Sequence, residues 1–249
     1  MINTKQRISQ QQWFFILVFI NICVTPFTFT PVLYQILGIS SWVAIVCAFL
    51  LSIWSIYVTI YLCETFRYEN VGQWSGRVLG KWLGKVYSLG VIVILYLWSI
   101  LMLTVFIELI LDSQLPYTSR FLILLFLLGA VLYLLILGLE TWARVGEFFA
   151  ILLLLTLIVM NVAQFKNITL GHLLPLQAHL EVFTTTDSLR IEVLASLFIF
   201  RGAFALYFLY PYIKVRKSFT LATLSGTLIA FVEILLTVML PILIFGSTF

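Results

Sequence analysis

The sequence is dominated by apolar runs, each about as long as a lipid bilayer is thick. A transmembrane helix needs about 20 mostly apolar residues, and the runs at 121–139 and 145–165 reach that length. Hydrophobic residues make up 63% of the chain and charged residues only 10%, so too little polar surface remains to cover a soluble core. We therefore expect an integral membrane protein rather than a soluble enzyme, a disordered tail or a nucleic-acid-binding domain.

The apolar runs divide the chain into about seven predicted spans. None alternates apolar and polar residues as a barrel strand would, so the predicted fold is an all-α, polytopic bundle of transmembrane helices. Ten of the 14 Lys and Arg residues fall on the side of the N-terminus, three fall on the other side, and Arg201 lies within a span. Because such residues favour cytoplasmic loops, the N-terminus is predicted to be cytoplasmic. The predicted spans are residues 13–37, 42–63, 87–111, 121–139, 145–165, 189–212 and 219–245.

The first predicted span contains residues that do not suit a continuous helix in lipid. Pro26 and Pro31 each remove a backbone donor, and the freed carbonyl groups need other partners. Thr25, Thr28 and Thr30 can supply hydroxyl groups for them. The stretch is either an unwound segment that lines a binding cavity or a kinked helix packed against its neighbours.

The sixth predicted span carries a charge near its centre, at Arg201. An arginine there costs about 2.5–3.5 kcal/mol on insertion scales, so it needs a carboxylate, carbonyl groups or water. It either holds the carboxylate of a substrate or forms a buried structural pair. The candidate carboxylate partners are Glu108, Glu147, Glu192 and Glu233.

No pattern in the sequence indicates catalysis, a metal site or a cofactor. His172 and His179 have no ligand spacing, and the three cysteines are scattered through apolar segments. We expect no catalytic residues, no metal and no cofactor.

Seven short motifs follow one another along the chain in an order that resembles one known family. That family is the spore germination permeases, the B-type subunits of germinant receptors, within the amino acid/polyamine/organocation superfamily. The matching motifs are the ISQQQ at Ile8, Pro31 followed by Trp42, the GKWLGK at Gly80, Glu108 followed by the LPYT at Leu115, the GLETWAR at Gly138, the LLP at Leu173, and the FRG at Phe200 followed by the YPY at Tyr210.

The resemblance implies a fold and a function. The fold would be the inverted-repeat (5+5) arrangement of amino-acid permeases. Residues 1–249 would form one transmembrane domain, with a first repeat at about 9–165 and a partial second repeat at about 189–249. The protein would sense a small nutrient germinant such as an amino acid, together with an A-type membrane subunit and a C-type lipoprotein, in the spore inner membrane or the bacterial cell membrane. The alternatives are an amino-acid transporter and a structural membrane partner without ligand binding.

In transporters of this type the substrate binds at the membrane midplane, between the broken first and sixth helices. That rule, carried to this sequence by analogy, gives a set of candidate ligand-binding residues. They are Thr25, Pro26 and Thr28 in the first span, Glu108 in the third, and Arg201, Gly202 and Phe204 in the sixth.

The sequence departs from the family pattern at three points. Val24 and Pro26 stand where the family has glycines, and Phe204 replaces a glutamate. Family members have about ten spans, whereas about seven are predicted here. We therefore expect a second repeat that lacks its last three helices. The chain would be a truncated paralogue, a degenerate gene product or a fragment completed by another polypeptide.

Overall fold

The computed structural model describes residues 8–23, 25–66, 69, 71–168, 200, 202–213 and 218–245. Within these residues the regular structure is nine α-helices, three short 3-10 turns and one isolated bridge between Ile8 and Ile213. The helices are α1 (Gln10–Ile22), α2 (Thr25–Leu37), α3 (Ser41–Thr65), α4 (Val71–Val78), α5 (Lys81–Ser113), α6 (Arg120–Leu137), α7 (Leu139–Gln164), α8 (Gly202–Leu209) and α9 (Phe219–Phe245). The predicted all-α membrane bundle is thus confirmed.

Five of the helices are long and apolar enough to cross a membrane, namely α3, α5, α6, α7 and α9. They correspond to the second, third, fourth, fifth and seventh predicted spans. The third begins earlier than predicted, at Lys81, because Gly80 adopts a φ of +85° that turns the chain just before the helix. Of the sixth predicted span, residues 189–199 and Arg201 lie outside the described residues, and α8 is its described end.

The first predicted span is broken into two helices of 13 residues each. The backbone bends at Cys23, and α2 begins at Thr25. The hydroxyl of Thr25 donates to the carbonyl of Asn21 (2.6 Å), and that of Thr30 donates to the carbonyl of Thr25 (3.2 Å). Pro26 and Pro31 deprive the carbonyls four positions earlier, those of Ile22 and Phe27, of their helical donors. The two hydrogen bonds reach other carbonyls, and it stays a prediction that threonines supply partners for the freed groups.

The start of α1 meets the end of α8 and the start of α9 at one face of the bundle. The Ile8 amide donates to the Tyr212 carbonyl (2.9 Å), and the Ser218 hydroxyl donates to the Gln10 side chain (2.8 Å). A capping box between Ser9 and Gln12 satisfies the first amides of α1. These contacts agree with the predicted alternation of the spans. That this face is cytoplasmic stays a prediction.

Two helices, α4 and α5, cross with almost no space between their backbones. A Cβ atom added at Gly84 of α5 would lie 2.5 Å from the Gly76 Cα of α4. The Ser75 hydroxyl donates to the Gly84 carbonyl (3.2 Å) and is 3.0 Å from the Ser88 hydroxyl. The glycine-rich GKWLGK motif therefore allows a short helix to pack closely on a long one.

Most of the outer surface of the bundle is apolar. In the most apolar stretch of 18 residues in α5, and likewise in α6, only 6% of the residues are buried. Side chains such as Trp82 and Ile136 are more than four-fifths exposed. A surface of this kind needs lipid or other membrane helices as its solvent.

Candidate functional site

The break in the first span lies beside the N-terminus of α8, and Asn21 connects the two. Asn21 is fully buried at the end of α1. Its side-chain Oδ1 accepts a hydrogen bond from the Gly202 amide at 3.1 Å, and its backbone carbonyl accepts one from the Thr25 hydroxyl at 2.6 Å. One asparagine thus links the end of α1, the start of α2 and the start of α8.

Among the described residues, the other polar atom of this amide, Asn21 Nδ2, is a donor without a partner. It is buried, and no described residue accepts a hydrogen bond from it. Leaving such a donor unsatisfied costs about 1–3 kcal/mol, so an oxygen atom from water or a ligand would be stabilised there. The first amides of a helix also favour anions, which suits a carboxylate oxygen at the same place.

Gly202 lies tightly against the side chains of α1. A Cβ atom there would overlap the Leu17 side chain and lie 3.3 Å from Asn21 Nδ2. The absence of a side chain therefore lets the start of α8 approach α1 closely.

The structure links two of the residues predicted from the sequence, Thr25 and Gly202, through Asn21. Thr25 and Pro26 are buried at the start of α2, and Gly202 is buried at the start of α8. Phe204 follows on α8 and is 47% exposed. Thr28 belongs to α2, but its side chain is not part of what the structure describes. The whole of Arg201 lies outside the described residues.

Glu108 lies near the C-terminal end of α5, where its side chain is partly exposed. Its carboxylate pairs with Arg120 at 3.1 Å, across the turn that joins α5 to α6. Its place in a ligand site stays a prediction.

This pair is expected to stabilise the protein only slightly. The side chains of Arg120 and Glu108 are 73% and 39% exposed, and exposed ion pairs contribute about 0.2–1 kcal/mol. A double-mutant cycle with Glu108→Gln and Arg120→Gln, read as the free energy of unfolding, should give a coupling below about 1 kcal/mol. A coupling several times larger would show that the pair is shielded from solvent.

Two asparagines with a role in the bundle were not among the predicted site residues. Asn21 is an amide in an apolar run, five positions before Pro26. A side chain there can bond backbone groups near the end of a helix. Asn161 is a similar amide near the end of α7, and its Nδ2 donates to Glu233 at 2.9 Å. Polar residues inside membrane spans face protein rather than lipid, and that signal was available for both.

The fold and the site together define a polytopic, α-helical membrane protein whose first span is broken beside the start of another helix. Over residues 7–249 the sequence matches the family model described as "Spore germination protein". The chain belongs to this family of spore germination permeases. Neither the curated proteins nor the solved structures gave a match to the chain.

Proposed function

We propose that this protein is a germinant-receptor subunit that binds a small nutrient, such as an amino acid, at the break between α1 and α2. The observation that carries the proposal is Asn21, which holds the start of α8 with one side-chain atom and leaves its Nδ2 donor buried without a partner among the described residues. Membership of the spore germination family supports a role in germination.

The chemistry of the site favours a ligand with a carboxylate. Asn21 Nδ2 supplies a hydrogen-bond donor, and the start of α8 supplies the positive end of a helix dipole. Arg201 precedes Gly202 in the sequence, and we assign it the role of the cation that pairs with the ligand. Thr25, Pro26, Thr28 and Phe204 would complete the walls of the site.

A single change at Asn21 tests this site. Asn21→Asp keeps an acceptor for the Gly202 amide but replaces the donor with an acidic oxygen. Loss of a hydrogen bond to a charged ligand costs about 1.5–3 kcal/mol, so the dissociation constant should rise about tenfold or more. Calorimetry on purified protein with L-alanine and a panel of other amino acids measures it.

The matched control is Gln114→Glu, the same conversion of an amide to a carboxyl at an exposed position. This control should leave the dissociation constant unchanged. Equal affinities for wild-type protein and a folded Asn21→Asp variant would refute the site. The same would follow from unchanged binding after Arg201→Ala and Thr28→Val together.

Two further measurements separate sensing from the alternatives. Uptake of an amino acid by vesicles that contain this chain alone would identify a transporter. Co-purification with the A-type subunit and the C-type lipoprotein, without ligand binding, would identify a structural partner. We expect ligand binding, association with both subunits, and no uptake.

A further inference from the structure

A buried carboxyl group lies where α7 and α9 meet. Glu233 of α9 and Asn161 of α7 are each only 6% exposed. The Asn161 Nδ2 donates to Glu233 Oε2 at 2.9 Å. Both helices are long and apolar enough to cross the membrane, so the pair is surrounded by protein and lipid rather than by water.

The helices that pack against α9 bring no positive charge to this carboxyl among the described residues. These helices are α1, α2, α3 and α7, and α1 and α2 contain no Asp, Glu, Lys or Arg. The titratable groups of α2 and the facing part of α3 are a phenol, Tyr34, and a thiol, Cys47, neither of which supplies a cation.

The charged residues within α3 and α7 lie far along their helices from this contact. Lys166, in the turn that follows α7, is five positions beyond Asn161, but its side chain is exposed and forms no ion pair with Glu233 among the described residues. On α7, Glu140, Arg144 and Glu147 precede Asn161 by at least 14 positions, or about 21 Å at 1.5 Å per residue. On α3, Phe49 stacks on Phe231 at 4.0 Å, and Glu64 follows it by about 22 Å on the same scale. Arg201 lies outside the described residues.

The free-energy cost of burying a charge decides whether the ionised or the protonated form of Glu233 is favoured at this contact. An ionised carboxylate in a low-dielectric interior costs several kcal/mol unless it is paired. Asn161 is a neutral partner and does not remove that cost. A protonated carboxyl is neutral, and it can accept from an amide nitrogen while it donates its own O–H to the amide oxygen. A bound proton therefore satisfies both side chains.

We propose that Glu233 and Asn161 form a proton-binding site within the membrane, and that its occupancy controls the contact between α7 and α9. The proton comes from solvent and returns to it. When it leaves, the carboxylate needs water or a cation, so the two helices separate.

Infrared spectroscopy of the protein in lipid nanodiscs tests this site directly. At neutral pH we expect the C=O stretching band of a protonated carboxyl group, shifted by exchange into heavy water. Glu233→Gln should abolish the band. Asn161→Leu should keep the band and raise its frequency, because the hydrogen bond from the amide is lost. The control Glu64→Gln, at an exposed carboxyl group, should leave the band unchanged.

Three results would overturn the proposal. The first is the absence of the band at neutral and mildly acidic pH. The second is a band that arises only after Arg201→Gln, which would reveal a buried ion pair. The third is a band that sodium ions remove at constant pH, which would identify a metal cation as the ligand. The Asn161→Leu variant keeps the test decisive if Glu233→Gln does not fold.

Discussion

Replacing Trp13 with alanine is expected to lower the free energy of unfolding by about 3–5 kcal/mol, as for other buried aromatic side chains. Trp13 is fully buried, and its ring stacks on Phe219 with 5.8 Å between ring centroids. Its Nε1–H donates to the Thr223 hydroxyl at 3.0 Å. Close packing, rather than transfer out of water, holds helices together in lipid, so the cavity left by the ring is the main cost.

Unfolding in detergent, followed by circular dichroism, measures the effect. The matched control is Trp82→Ala on α5, where the side chain is 84% exposed, and the expected change is within about 0.5 kcal/mol. Trp13→Phe should cost much less than Trp13→Ala, because a phenyl ring fills much of the cavity that alanine leaves. In both variants Thr223 still donates to the Phe219 carbonyl. Equal losses at positions 13 and 82 would show that Trp13 does not hold α1 on α9.

Replacing Gly84 with valine is expected to detach α4 from α5. The first atom of the new side chain would lie 2.5–2.7 Å from backbone atoms of Gly76 and Ser75. Backbone cannot move aside as a flexible side chain can, so the cost should reach about 3 kcal/mol, the upper end of the range for overpacking. The hydrogen bonds of Ser75 to Gly84 and Ser88 would be lost as well.

Hydrogen exchange of the α4 amides reports this detachment. We expect the amides of residues 71–78 to exchange much faster in Gly84→Val than in the wild-type protein. The control is Gly90→Val on the same helix, because a Cβ atom there meets nothing within 4 Å. Protection of α4 that is the same in both variants would contradict the close backbone contact.

The hydrophobic pattern was sufficient to predict most of the membrane helices, and several motifs can now be explained locally. Ser9 caps α1, and Gly138, with a φ of +93°, forms the turn between α6 and α7. Glu140 and Arg144 pair one helical turn apart at 2.8 Å. These roles depend on residues close in sequence, which is why the order of the motifs carries so much information.

The contacts that define the candidate sites could not be predicted in the same way. Asn21 and Gly202 are 181 positions apart, and Asn161 and Glu233 are 72 apart. A polar residue in an apolar run indicates that a partner exists, but its identity depends on which helices become neighbours. The close contact of Gly84 with Gly76 likewise follows from how two helices cross, and the spacing of the glycines does not reveal it.

The antiparallel pair formed by α1 and α8 is joined at both ends. At one end the Ile8 amide bonds the Tyr212 carbonyl, and at the other end the Gly202 amide bonds Asn21. Two helices that are hydrogen-bonded near both ends tilt together and do not slide past each other. A small displacement at Asn21 should therefore move the opposite end of the pair, at Ile8 and Tyr212. A change within the bilayer would in this way shift groups at its surface.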